Sequence, residues 1–480
     1  MNPQVLIAGA GPTGLTLAIE LARRGVGVRI VDKAEEYFAG SRGDGIQPRT
    51  LEVFDDLGVL DAVLAQGQPQ APLQVFISGE FAMQRRMSEW REPTPEVPHP
   101  NPWVLGQADT ERVLRERLAE FGVRVELSTA LAEFTADDAG VTAVLEHDGR
   151  SESLRVDYLV GADGGRSLVR KTLGIEFQGS TDESIRMLLG DVRADILDHD
   201  LGYWFAEPDR PMEGLALMPL PGGRKYQFAA PLSGEAEASL EVLQEYITRL
   251  SRRDDIVLSD LTWSTVWRPN IRLAQRYRDG RVLLAGDAAH VHPPTGGQGL
   301  NTGVQDAHNL GWKLAAALRD PAADSEALLD SYESERRTVA ARVLGLSTEL
   351  LDRTVKGDPD AMDREGTHQL DISYRATDAA AEFAAGDRAP DAPLVDSNDK
   401  PVRLFDVFRG PHATLLLFGD APAEDPIPAD TRVVRLLAPG STAAGAELVD
   451  ADAHARRAYH ATEGTRILIR PDGYVGFIRN

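Results

Sequence analysis

Val5-Leu6-Ile7-Ala8 is a short apolar run closed by glycine, the pattern of a strand buried on both faces. Residues 13–24 follow with Leu15, Leu17, Ala18, Leu21 and Ala22 mostly on one side, which predicts a helix. Val28-Arg29-Ile30-Val31 returns as a second strand with Asp32 at its end, completing a βαβ unit. Two more buried strands are predicted far downstream, at Tyr158-Leu159-Val160 and Arg281-Val282-Leu283-Leu284-Ala285, and a long helix from about 300 to 319. In residues 203–230, Tyr203, Phe205, Leu215, Leu217, Met218, Tyr226 and Phe228 suit antiparallel strands. Their aromatic and Met-rich face lines an apolar pocket or packs as core, and the alternation leaves both open. After a helical region to about 385, residues 415–418, 432–436 and 467–475 read as strands, the last a hairpin around Asp472-Gly473.

At 480 residues the chain exceeds one core, so two or three domains are expected. Its 42% hydrophobic and 26% charged residues fit an ordinary soluble globular protein. The net charge of −24 argues against a nucleic-acid partner, but a local arginine pocket can still hold an anion. With no cysteine, disulfides, thiol catalysis and Cys-ligated metals are excluded. No apolar run reaches ~18 residues and the N-terminus carries no leader pattern, so neither a membrane span nor export is expected, and the location is cytoplasmic.

Three glycine-rich stretches carry the chemistry. In Gly9-Ala10-Gly11-Pro12-Thr13-Gly14, Gly9 permits the tight turn, Gly11 lets backbone approach a pyrophosphate, and Gly14 lets helix and strand pack closely. Asp32 lies at the distance expected of an acid that holds a ribose hydroxyl; it would repel a 2′-phosphate, leaving NAD or FAD. Gly161-Ala162-Asp163-Gly164-Gly165-Arg166-Ser167 alone reads as a turn, yet Asp163 stands at a strand-to-helix junction, where ligands bind in open α/β sheets. Gly286-Asp287-Ala288-Ala289-His290 runs on to Pro293-Pro294-Thr295-Gly296-Gly297-Gln298-Gly299-Leu300-Asn301. Asp287 is placed to accept bonds from a polyol. The side-chain-poor loop from Pro293, feeding a helix N-terminus, can lie flat against a ring and stabilise negative charge on it, as reduced flavin requires. Together the three point to FAD. His290 and His292 lack a nearby carboxylate pair, so no metal site is expected.

These motifs and their spacing resemble the single-component FAD-dependent aromatic hydroxylases of the p-hydroxybenzoate hydroxylase fold, in the subgroup of pentachlorophenol, polyketide and rifampicin monooxygenases. Ser41-Arg42-Gly43-Asp44-Gly45-Ile46 with Arg49-Thr50-Leu51-Glu52, Gln107-Ala108-Asp109-Thr110-Glu111, Leu310–Leu314 and Asp330–Arg336 extend the likeness over essentially the whole chain. The resemblance implies an α/β fold: a Rossmann-like FAD-binding domain (1–75, 101–178 and 271–355), an inserted β-sheet substrate domain (76–100 and 179–270), a helical linker (356–385) and a C-terminal thioredoxin-like domain (386–480) without cysteines. It places FAD against Gly9, Gly11, Pro12, Thr13, Gly14, Asp32, Lys33, Arg42, Gln107, Asp163, Gly164, Asp287, Pro293, Gly296, Gly299, Leu300 and Asn301. Arg42 would govern flavin movement, Pro293 would shield the reacting ring, and Tyr203, Phe205, Met218, Tyr226 and Phe228 are candidate substrate contacts.

The implied reaction is NAD(P)H- and O2-dependent hydroxylation of a phenolic substrate, a polyketide or antibiotic-type polycycle, through a flavin hydroperoxide. NADPH or NADH would bind transiently, since no second strand-preceded GxGxxG exists, and the protein would be a monomer or homodimer. Baeyer–Villiger oxygenation of a polycyclic ketone is the alternative. A halogenase is set aside because Trp263-Ser264-Thr265-Val266-Trp267 has the wrong spacing for that family's signature. No residue of the sequence identifies the catalytic acid or base.

Overall fold

The computed structural model describes residues 3–182, 185–232, 238–293, 296–319, 325–356, 358, 362–375, 381–423, 427–428, 430–443, 445 and 447–480. They form two compact units. The first comprises Met1–Thr50, Asp61–Glu89 and Asn101–Thr367, the second Leu51–Leu60, Trp90–Pro100 and His368–Asn480.

The first unit is built on a six-stranded sheet ordered Arg278–Asp279, Val282–Leu284, Tyr158–Gly161, Val5–Ala8, Val28–Val31, Val125–Glu126. All neighbours run parallel except the first pair. The three motif-bearing strands are adjacent, with Ala8 opposite Gly161 and Gly161 opposite Leu284. Loops 150 and 280 residues apart in sequence therefore leave the sheet at one level on one edge. The Pro12–Ala22 helix rises from the first loop with Pro12 in its first turn, where no intrahelical donor is needed. Gly9 has φ +104°, and a Cβ there would lie 2.2 Å from the Ala162 carbonyl oxygen. A Cβ on Gly14 would lie 2.0 Å from the Gly9 oxygen, so both must be glycine for helix and strand to meet.

A second, seven-stranded sheet is ordered Ser259–Trp267, Met187–Arg193, Lys225–Pro231, Arg210–Leu220, Gly202–Glu207, Leu73–Ile77, Glu80–Arg85. One face packs on the Leu240–Ser251 helix, whose N-cap Ser239 accepts from the Val242 N–H. Leu188, Val192, Leu215, Leu217, Leu243 and Ile247 are fully buried there. So are Tyr226 and Phe228, and Tyr203 and Phe205 are at most 5% exposed. This corrects four of the expected substrate contacts: they are core, because the period-2 pattern marks one face of a sheet without saying what covers it. Met218 opposes Gln227 on the other face, packed over Gly202.

The expected domain limits shift as well. The boundary at 75 cuts the Leu73–Ile77 strand, which belongs wholly to the seven-stranded sheet, and Trp90–Pro100 groups with the second unit.

The second unit has a mixed sheet ordered Pro401–Arg403, Pro393–Val395, Leu448–Val449, Arg432–Leu437, Thr414–Phe418, Arg466–Ile469, Val475–Arg479. The last two strands form the hairpin expected at Asp472-Gly473. Leu404, Leu416, Phe418, Leu436 and Ile467 are fully buried in its core. Glu52 and Arg388 form a buried ion pair at 2.5 Å within this unit. Among the described residues, no helix is long and apolar enough to cross a membrane.

Candidate active site

A cavity of about 750 Å³ opens in the first unit where the three loops leave the parallel sheet. Gly9, Gly11, Pro12, Thr13, Asp32, Lys33, Arg42, Gln107, Asp163, Gly164, Asp287, Pro293, Gly299 and Leu300 all line it. Three expected residues do not. Gly14 lies beneath, packed on Gly9. Gly296 faces Thr367 and Leu350. Asn301 is fully buried and works as a clasp. Its Nδ2 donates to the Gly45 (2.8 Å) and Gly297 (2.7 Å) carbonyls, and its Oδ1 accepts from the Gln47 N–H at 2.8 Å. Pro294 and Thr295, in the same expected loop, fall outside the described residues.

The acids at the strand ends are held by backbone. Asp32 accepts from the Ala10 N–H at 2.8 Å with one oxygen and the Ala34 N–H at 2.9 Å with the other. Asp163 Oδ2 accepts from Leu168 and Val169 at the start of a helix, while its buried Oδ1 has no protein partner. Burial raises the pKa of Asp287, against the charges of His290 and Arg42. Beneath the third loop lies a rigid buried network. His290 Nε2 meets Asp306 at 2.6 Å, Arg336 Nε donates to Asp306 at 2.7 Å, and the Gly286 N–H donates to it at 3.1 Å. His290 is therefore a supporting residue. His292 does line the cavity; its Nδ1 donates to the Pro293 carbonyl, and burial, with His290 nearby, pushes its pKa down to about 4, so it stays neutral.

Gln107, at the start of the Gln107–Glu120 helix, donates from Nε2 to Glu111 at 2.8 Å, which turns its amide oxygen toward Gly43. Burial pushes Glu111 up to about 7, against that bond and the charge of Arg115. Arg42 lies 5.2 Å over the Phe38 ring, and Phe38 meets Trp263 edge-on at 5.9 Å.

The remaining wall comes from the seven-stranded sheet, through Leu189, Gln227 and Trp267. These lie on the face opposite the core aromatics, and sequence reasoning missed them; the alternation at 203–230, read in its other phase, contained Gln227, while Leu189 and Trp267 lie outside that stretch. Asp44, Gln298, Arg166 and Lys171 also line the cavity without having been singled out, although Asp44 sits inside the Ser41–Ile46 loop motif.

The geometry defines a class. Three loops off one parallel sheet cradle a long groove that ends against a second sheet, and the residues present fit FAD. Gly11 leaves open space where a Cβ would stand, Asp163 Oδ1 is an unsatisfied acceptor, and backbone amides line the N-terminus of the Pro12–Ala22 helix. Comparison with known proteins agrees. Residues 2–347 match the FAD binding domain family, and residues 383–480 the family described as aromatic-ring hydroxylase, C-terminal. A flavin-dependent monooxygenase of Mycobacteroides abscessus is 44% identical over 98% of this chain and 96% of its own. The 6-methylpretetramide 4-monooxygenase of Streptomyces rimosus is 35% identical over 99% of this chain and 90% of its own. The crystal structure of aklavinone-11 hydroxylase with FAD and aklavinone superposes with a TM-score of 0.83 at 28% identity, covering 100% of this chain and 96% of that one. The chain belongs to the FAD-dependent aromatic-ring hydroxylase family. It is an FAD-dependent aromatic monooxygenase.

Proposed function

We propose that the enzyme hydroxylates a phenolic polycycle of the polyketide or antibiotic type, consuming O2 and NAD(P)H. One phenol, one O2, one NAD(P)H and one proton give the hydroxylated phenol, water and NAD(P)+. Bound FAD, reduced by the nicotinamide, supplies the electrons that activate O2. The observation that carries the reading is the continuity of the cavity from the strand-end acids to Leu189, Gln227 and Trp267 on the second sheet. A cofactor lying along the loops would meet a substrate held under that sheet.

In this reading Gly9, Gly11, Pro12 and Thr13 take the pyrophosphate, Asp32 the adenosine ribose, and Asp163, Asp287 and Gln107 the rest of the chain of the cofactor. Pro293, Gly299 and Leu300 pack against its ring and exclude water, which a reactive oxygen intermediate requires. Lys33, Arg42, Arg166 and Lys171 line the cavity and give an acidic protein a local cationic site for the nicotinamide dinucleotide. Relatives named as monooxygenases of 6-methylpretetramide and anhydrotetracycline favour a polycycle over a single ring.

The test is a screen of NAD(P)H consumption with phenolic polyketides, rifamycins and tetracyclines, with product identified by mass. The enzyme should be yellow with one FAD per chain, and a polycyclic phenol should gain one oxygen. Ring-opened product would point to Baeyer–Villiger chemistry instead, and a protein that stays colourless with added FAD would refute the assignment of the groove.

A further inference from the structure

Gln227 stands on the Lys225–Pro231 strand of the seven-stranded sheet, with Asp191 and Met218 as its cross-strand neighbours. Its side chain reaches the Ser41 segment: Nε2 donates to the Ser41 carbonyl at 2.6 Å and to Ser41 Oγ at 3.1 Å. Chemistry dictates which end of the amide faces Ser41. A carbonyl only accepts. The Ser41 hydroxyl proton is already given to Asp191 at 2.5 Å, as is the Ser41 N–H at 2.7 Å. Both groups that Ser41 offers to Gln227 are therefore acceptors, so the amide nitrogen must face them. The amide oxygen is turned the other way.

That oxygen belongs to a wall of the cavity. Gln227 is half-buried and lines the cavity together with Leu189 and Trp267. Leu189 lies two residues from Asp191 on the neighbouring strand, so its side chain shares the face of Gln227. Leu189 is apolar, and the Trp267 indole can only donate. Among the described residues of this sheet that line the cavity, Gln227 is thus the one that brings an acceptor. No described residue donates to it. A single fixed polar group in an apolar wall is how a pocket chooses a ligand and its orientation. This one is fixed by its other end. Turning the amide to suit a ligand that only accepts would set its oxygen against the Ser41 carbonyl, acceptor against acceptor.

We propose that Gln227 is a specificity-determining residue: its amide oxygen, held by the Ser41 tie, accepts a hydrogen bond from a hydroxyl of the polycyclic substrate. The inference rests on the proposed hydroxylation and names a chemical group that the second sheet selects. A polycycle with a free hydroxyl where it meets this wall is favoured. An ether of the same shape leaves the oxygen unpaired, and the amide cannot reverse to rescue it.

The test uses FAD-loaded wild type, Gln227→Met and Gln227→Lys, with 2-hydroxyfluorene and 2-methoxyfluorene as a matched pair. Both variants lose the acceptor, while the lysine keeps a donor for Ser41. In both, Ser41 retains its two bonds to Asp191, and FAD content and thermal midpoint confirm that each is folded. Binding at pH 7 is read from perturbation of the flavin absorption. Wild type should bind the hydroxyl compound about fivefold more tightly than the ether, and each variant should bind the two alike. Loss of the Ser41 tie cannot produce that result in Q227K, so it reports the acceptor itself. A wild type that binds both probes equally overturns the proposal, as does either variant that keeps the preference. A wild type that shows the Gln227-dependent preference, but whose NAD(P)H oxidation no polycyclic phenol stimulates, refutes the proposed function while supporting Gln227 as the acceptor of the hydroxyl. Hydroxylated product together with equal binding of the two probes sustains the function and overturns this proposal alone.

Discussion

Glu111 shows what one buried carboxyl does to the whole chain. It is 4% exposed, and its pKa stands near 7 instead of the ordinary 4.5. A carboxyl raised in the folded state makes ionisation costly there. The contribution of Glu111 to stability is therefore greatest below pH 4.5, declines as pH rises toward 7, and above that is a penalty of at most about 3 kcal/mol. Glu111→Gln removes the titration while leaving an amide oxygen to accept from Gln107. Denaturant unfolding between pH 5 and 8 should find E111Q more stable than wild type at pH 8, with the advantage shrinking toward pH 5. Parallel curves for the two proteins would mean that the Glu111 carboxyl is not raised above its ordinary value.

Among the elements, the helix Gly299–Arg319 does most to assemble the site. Asn301 in its first turn holds the 45–47 segment, and Asp306, two turns in, holds His290 and Gly286. Asn301→Ala would leave the Gln47 N–H and the Gly45 carbonyl unpartnered inside the protein, at ~1–3 kcal/mol. Because the loop so released carries Arg42 and Asp44, FAD should bind about 10- to 100-fold more weakly, measured by flavin fluorescence on titration of apoprotein. Unchanged FAD affinity in N301A would show that the clasp is dispensable. Much at this scale was legible in sequence. The apolar runs at 5–8 and 158–160 became Val5–Ala8 and Tyr158–Gly161, because a parallel strand covered on both sides leaves no room for polar residues; Val28–Val31 formed as expected although Arg29 reaches out of it to Glu126 and Glu152. The glycines of the first loop were legible because steric demands at Gly9 and Gly14 admit nothing else. The clasp by Asn301 and the Ser41–Asp191 tie were not, since each joins residues more than 100 positions apart and neither changes any local pattern. Nor was the site-facing side of the second sheet, because alternation identifies two faces and only tertiary packing says which one meets the helix Leu240–Ser251.

For the whole molecule, that sheet separates two tasks within the same strands. Phe228 is buried against the helix, and its neighbour Gln227 lines the cavity. Phe228→Ala should cost ~3–5 kcal/mol in denaturant unfolding without altering which phenol is oxidised. Substitutions at the half-buried Trp267, which lines the cavity, should shift the ranking of phenols in a competitive turnover assay and cost less stability than Phe228→Ala. A Phe228→Ala enzyme with altered selectivity and normal stability would refute the division.

Such an arrangement has a consequence for descent. A lineage can try new residues at cavity-facing positions such as 267 without touching the core residues of the same sheet, because the intervening positions keep it folded. Acceptance of a new substrate and retention of the fold are then decided by different codons. A laboratory library centred on 267 would explore chemical diversity with the core aromatics of the same sheet left intact.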